Sequence, residues 1–359
     1  MRSGAAQRPG ARPDGLALCP RRPGRRLPRE AALRPHRDAR RAFSEEPRVD
    51  LQYGFVSICL SEQACSPAGN VTVKQAEALD PPARRSRILR TARRNLENTL
   101  RIMWFLRAHG LELYRISANL IPLATHPVTA GWAWWEEEDL RQLGAKIGEA
   151  AARQGYRLSS HLPELCGFTT EAGFHWTQRY LEYHRRLFEL LNFGPSAKIV
   201  MHVGGAGGGK AQALKTAKER IVSLSPWARE RLVLENDDRV FTAADVVQLA
   251  EETGVPVAFD WHHHWVNRDG EAEGPAVRRL LARGFALWRD RPPKVHVSSP
   301  REGRNPRAHA DYVDPRFVLP FLEMAREAGA RQLDVMVEAK MKDLAALRLR
   351  DQVAPVFSS

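Results

Sequence analysis

The chain has 359 residues, is 43% hydrophobic and carries a formal net charge of +13. That is room for one large domain or two ordinary ones around a substantial core. No apolar run approaches the roughly 20 residues of a membrane helix, and no apolar signal-peptide segment opens the chain.

Residues 1–48 hold 13 Arg, no Lys and five acids, a net of +8 that leaves about +5 elsewhere. This stretch is expected to be a disordered Pro/Arg-rich extension over 1–50, or upstream codons read by mistake. It is too Pro-rich and Ser-poor for a good transit peptide. The remaining charge permits a polyanionic partner without demanding one. Cys19, Cys59, Cys65 and Cys166 form no C-x-x-C pair, and a chain of this size needs no disulfide staples, which points to a reducing compartment.

From residue 51, short β-branched runs alternate with amphipathic ones. Strands are predicted at 52–58, 112–117, 156–161, 197–203, 231–236, 256–261, 294–299 and 333–339. Helical patterns lie between them, several ending in Gly, and a last short helix follows Lys342. The first connection, 59–80, reads as a loop over one end. Eight such units predict an α/β (β/α)₈ TIM barrel over 51–350, with a short tail at 351–359; an open doubly wound sheet is the alternative.

In a barrel, chemistry sits at the C-terminal strand ends. His161, His202, Glu235 and Asp260 stand there, with His263 just past Asp260 in "FDWHHHW". Strand 7 carries Lys294 and His296, strand 8 carries Glu338, and the loop after strand 7 supplies His309. Period-two alternation gives Lys294, His296 and Ser298 a common face on their strand and Asp334, Met336, Glu338 and Lys340 a common face on theirs, without saying which face is inward. Taken singly, a strand His is ordinarily a hydrogen-bonded core residue, and a strand-end carboxylate ordinarily caps the next helix. Together, five imidazoles and three carboxylates in one mouth would be costly to bury without a counter-charge. Divalent cations remove that cost, and the mixed set suits Zn, Mn or Fe. There are more ligands than one ion takes, so two or three ions are expected, with Glu235 able to bridge. Only one or two of the three consecutive histidines can face inward, and Trp261 and Trp265 argue for a packed corner beside them.

"GGAGGGKA" (204–211) contains G-x-x-x-x-G-K but continues with Ala211 where a Walker A loop needs Ser or Thr. It reads as a plain Gly-rich connection, or as one that brings Lys210 and backbone N–H groups to a phosphate. Arg301, Arg304 and Arg307 beside His309 read as a solvated basic loop, or as a clamp on a phosphate backbone.

The motifs "RISANLIPLATHPV", "RLSSH", "MHVGG", "LENDDR", "FDWHH", "KVHVSS", "AHADYV" and "DVMVEAK", in this order over residues 51–345, resemble the ultraviolet-damage endonuclease family, barrels related to the abasic-site nuclease endonuclease IV. The resemblance implies an ATP-independent, metal-dependent repair enzyme. Such an enzyme nicks double-stranded DNA immediately 5′ of cyclobutane dimers, 6-4 photoproducts and some abasic sites, leaving 3′-OH and 5′-phosphate ends, with manganese as the usual metal. It implies one ion on His161, His202 and Glu235, a second on Glu235, Asp260, His296 and Glu338, and a third on His263 and His309. Glu235, Lys294 and Glu338 would carry catalysis, and the lysine at the position of Lys294 can be carboxylated. The family probes lesions with a Tyr after strand 1, matched by Tyr53, and a Gln three residues past the strand-3 histidine. Here that position is Glu164, a departure from the pattern. A monomer in the bacterial cytoplasm, associated with the nucleoid and not with membranes, is the implied setting.

The expected reaction is in-line hydrolysis of one phosphodiester by an activated water, with the damaged nucleotides lifted from the stack. A metal-dependent sugar isomerase or epimerase, a generic abasic endonuclease, and a protein that grips damaged DNA without cutting it are the rival readings.

Overall fold

The computed structural model describes residues 48–357, apart from 269–273 and 304. The expected extension over 1–47 and Arg304 lie outside the described residues. The strands are β1 (Asp50–Val56), β2 (Leu113–Arg115), β3 (Arg157–His161), β4 (Lys198–His202), β5 (Leu232–Glu235), β6 (Val257–Asp260), β7 (Lys294–Val297) and β8 (Gln332–Val337). The helices are α1 (Val73–Glu77), α2 (Pro81–His109), α3 (Glu138–Gln154), α4 (Glu171–Leu190), α5 (Lys210–Ser223), α6 (Pro226–Arg231), α7 (Ala243–Thr253), α8 (Trp261–Val266), α9 (Pro275–Phe285), α10 (Pro315–Glu327) and α11 (Lys342–Phe357).

All eight strands are parallel and close in sequence order; β1 pairs with β8 through Gln52↔Asp334 and Gly54↔Met336. Closure excludes the open sheet. Two boundaries differ from expectation. α11 runs to Phe357, so residues 351–357 belong to a helix and not to a tail. The first connection contains α1, started by a capping box in which Thr72 and Gln75 bond each other's backbone N–H.

The register settles which face is inward. Partners across a parallel ladder point the same way, and faces alternate along each strand. Asp260 pairs with His296, Ala258 with Glu235, Glu235 with His202, Val200 with His161, and Ser159 with Arg115. Lys294 pairs with Asp334 and His296 with Met336. These positions therefore form one continuous face. Lys294 Nζ donates across the barrel to Ser159 Oγ at 3.2 Å, which makes that face the interior. Val200, Val233, Ala258 and Trp288 form a compact apolar cluster within the fold. The opposite strand faces pack on the helices and carry most of the aliphatic core.

Candidate metal centre

At the C-terminal end of this interior, two groups of side chains offer ligand atoms within 4.8 Å of one another: His161, His202 and Glu235, and Glu235, Asp260, His296 and Glu338. Glu235 belongs to both. Its Oε2 lies 2.9 Å from His161 Nε2, and its Oε1 lies 3.0 Å from His296 Nδ1. His296 Nδ1 is also 3.0 Å from Glu338 Oε1. The His202 ring stands between those of His161 and His263, with centroids at 5.1 and 5.4 Å.

Hydrogen bonds from the surrounding backbone fix the tautomers. His161 Nδ1 is 2.7 Å from the Leu162 carbonyl, which only accepts, so Nδ1 carries the hydrogen. Burial lowers His161, and the neutral ring then turns a bare Nε2 toward the Glu235 carboxylate 2.9 Å away, two acceptors that a shared cation would satisfy. His309 Nδ1 donates to the Glu338 carbonyl at 2.7 Å and His263 Nδ1 to the Asn236 carbonyl at 3.0 Å, which leaves Nε2 of each ring as the nitrogen that would face an ion. His202 Nδ1, Asp260 Oδ2 and His296 Nε2 are buried without a hydrogen-bond partner. A set of imidazoles and carboxylates with bare acceptors at these distances fits divalent ions.

The electrostatics agree. Burial disfavours the charged form of Glu235, but the imidazoles of His296, His202 and His161 outweigh it and hold the carboxyl well below the usual range. Burial also opposes ionisation of Glu338, where Arg115 and His296 prevail and lower it. Asp260 is raised by burial and by the neighbouring Glu235 and Glu338 carboxylates. For His263 burial is overcome by Asp260, Glu235 and Glu338, which push it up to about 9.

The histidine triplet divides its labour. α8 starts on Asp260, whose Oδ1 accepts the His263 N–H at 2.7 Å and so aims His263 at the cluster. His262 packs edge-on against His309 at 5.0 Å, and its Nε2 lies 2.8 Å from the Pro306 carbonyl. His264 is buried against Phe259 and Trp261, the packed corner.

Other expected site residues fall differently. Lys294 lies one inward position below His296, fully buried, lowered to about 8 by burial and by Arg291, Arg115 and Arg157 against the pull of Asp334. Tyr53 is not at the mouth. It pairs with Val335 on the outward face and is 4% exposed in the core between sheet and helices, so it cannot probe DNA from there. Glu164 is exposed beside Leu165, itself 47% exposed, in the loop after β3. Lys210 opens α5 and pairs with Asp245 at 2.9 Å. Arg301 faces Asp311 at 3.9 Å, and Arg307 Nε donates to the Asp238 carbonyl at 3.0 Å.

Two residues escaped the sequence reading. Arg115 Nη1 donates to Glu338 Oε1 at 2.5 Å. Asn236 brackets the β6 end: its Oδ1 accepts the Asp260 N–H and its Nδ2 donates to the Asp260 carbonyl, both at 2.9 Å. A charged residue within the β2 segment was a visible signal for the first; nothing local marked Asn236.

Comparison with known proteins follows the same outline. The profile of the family UV-endonuclease UvdE matches residues 51–357. The UV DNA damage endonuclease of Bacillus pumilus (strain SAFR-032) is 35% identical over 309 residues, covering 85% of this chain and 94% of the relative. That of Bacillus cereus (strain G9842) is 33% identical over 316 residues, covering 85% and 95%. The crystal structure of SacUVDE superposes with a TM-score of 0.73 at 26% identity, covering 86% of this chain and 99% of that one. With the barrel, the buried cluster and these matches together, the chain is a member of the UV-endonuclease UvdE family.

Proposed function

We infer that the protein is a metal-dependent, ATP-independent endonuclease. It hydrolyses the phosphodiester immediately 5′ of ultraviolet photoproducts, cyclobutane dimers and 6-4 photoproducts, and of some abasic sites, leaving 3′-OH and 5′-phosphate. The observation that carries this reading is Glu235 shared between two ligand groups at one strand-end rim in a chain of this family.

His161, His202 and Glu235 would hold one ion, and Glu235, Asp260, His296 and Glu338 a second. His263 and His309, with rings 6.0 Å apart, would hold a third. Manganese is the expected metal. When bound, such ions supply a nucleophilic water at neutral pH and offset charge on the leaving 3′ oxygen. The chain's own residues set the geometry. Arg115 holds the Glu338 carboxylate, Asn236 fixes the Asp260 segment, and the Leu162 and Glu338 carbonyls orient the His161 and His309 rings. Lys294 would contribute positive charge from the layer below, or a further oxygen ligand if carboxylated. Damaged nucleotides are lifted out of the stack to reach this depth, which weak pairing at a lesion makes cheaper. Lys210, Arg301 and Arg307 would border the path of the backbone, and Glu164 would stand where the lesion is met.

The test is a nicking assay on three labelled duplexes, one ultraviolet-irradiated, one with an abasic site and one undamaged, each with Mn²⁺ and with chelator. Metal-dependent incision 5′ of the photoproduct is expected. Equal cutting of the undamaged duplex, or no cutting with metal present, overturns the reading, and cutting at the abasic site alone narrows it to a generic abasic endonuclease.

A further inference from the structure

Helix α2 holds the positive charge of the folded part. It carries eight arginines and one acid, Glu97. With +8 in residues 1–48 and +7 in α2, the rest of a chain whose total is +13 is net −2. A domain-wide surplus of about +5 therefore resolves into one strongly basic helix on an otherwise slightly acidic body.

The helix is also long for its barrel, 29 residues, fixed by Asp80 as N-cap and by Gly110 in the left-handed conformation at its end. Its C-terminal half packs at barrel level: Tyr156, just before β3, donates to the Met103 carbonyl, and Arg350 to that of His109. Asn95 already bonds segments beyond the strand ends, donating to the carbonyls of Gly69 and of Leu120. The 14 residues from Asn95 back to Pro81 span about 21 Å of helix, and this half stands past the strand ends on the side where the metal cluster opens. Ile88 anchors it in a small apolar cluster with Val71, Ala76, Val128 and Trp132.

The arginines of this projecting half divide by face. Arg85 pairs with Glu137, and Arg93 with Glu97 and Asp139. Arg84 donates to the carbonyls of Ala76 and Leu79. Arg87, Arg90 and Arg94 lie at helical spacing on one side, all exposed. Among the described residues none of the three has a carboxylate at ion-pair distance, and Arg90 bonds only the Ser86 hydroxyl.

We propose that Arg87, Arg90 and Arg94 form a phosphate-binding stripe that grips the DNA duplex flanking the incision site. The proposal rests on DNA as the substrate. Seven residues of helix spread the three guanidinium groups over about 10 Å. Duplex DNA carries one phosphate per about 1.7 Å of axis, so that length presents about three phosphates of the facing strand. The contact carries no sequence information, as suits an enzyme that meets lesions in any sequence.

The test compares the full chain with its R87Q/R90Q/R94Q variant. A control variant, R289Q/R331Q, alters two exposed arginines at the opposite end of the barrel. Binding to an irradiated duplex of about 30 bp is followed with chelator across a range of salt, where each phosphate contact contributes about 0.9 to the slope of log K against log salt. The triple variant is expected to lose about 2 to 3 from the slope and the control nothing. Equal slopes in wild type and triple variant overturn the stripe while leaving the DNA reading intact. Failure of the wild type to bind the duplex at all brings down both.

Discussion

Arg115 of β2 and Glu338 after β8, on either side of β1, meet at 2.5 Å with both side chains nearly buried. The pair keeps Glu338 ionised beside His296. Replacing Arg115 by Met leaves a buried carboxylate whose compensation is gone, and such losses cost about 3–5 kcal/mol. The variant is expected to unfold at lower urea, to recover part of that loss when Mn²⁺ is added, and to incise about 10- to 100-fold more slowly. Urea titrations with and without metal, beside the nicking rate, check it; a variant as stable and as active as wild type contradicts the role given to Arg115.

The first residues of the loop after β1 are tethered by one carboxylate. Asp343, fully buried at the start of α11, accepts the N–H groups of Leu60 at 2.6 Å and Ser61 at 3.0 Å, and the Ser61 hydroxyl. An Asp343→Ala variant strands two backbone donors and is expected to lose about 2–4 kcal/mol. Limited proteolysis should then cut first between residues 57 and 72, and protection of that segment equal to wild type would count against the tether.

Acid sensitivity has an identifiable source away from the metal cluster. His184 is buried in α4, with Nε2 2.7 Å from Ser160 Oγ and Nδ1 2.7 Å from the Tyr180 carbonyl. Burial lowers it to about 4, against an unfolded value near 6.5. The unfolded chain therefore binds the extra proton first. Stability contributed by the neutral ring is present above about pH 6.5 and drains away as pH falls toward 4, by at most about 3 kcal/mol. Unfolding free energies measured at pH 7 and pH 5 should differ less in His184→Gln than in wild type.

Glu164 adds a negative charge where DNA is expected to meet the rim. Glu164→Gln removes it and restores the amide of the family pattern. Binding of an irradiated duplex is expected to tighten about two- to fivefold, mainly through faster association at low salt, since rim charges act chiefly on encounter. Stopped-flow association rates at two salt concentrations test this. An unchanged rate would place Glu164 off the DNA path.

The barrel was legible because its period is simple: eight β-branched runs and the helices between them appear in the sequence near their final boundaries. The two ligand groups were also legible, since strand-end residues of a closed barrel must converge and the motifs named them. Inward orientation was not, because alternation is symmetric until one cross-barrel contact, Lys294 to Ser159, breaks the tie. Tyr53 was misplaced for the same reason: one position along β1 exchanges the mouth for the core. Arg115 showed its charge within a strand but not its partner, and Asn236 acts only through contacts across strands, which no local pattern displays. The basic character of α2 was hidden by averaging, since a modest total concealed its concentration on one helix.

Asn236 bears on how the site would handle cations. Because its amide fastens the chain at Asp260 from both sides while its own carbonyl receives His263, the coordinating cage is braced by peptide groups and not by whatever it encloses. Stripping and reloading should therefore leave the scaffold standing, and one transition ion should exchange for another of similar radius without any refolding.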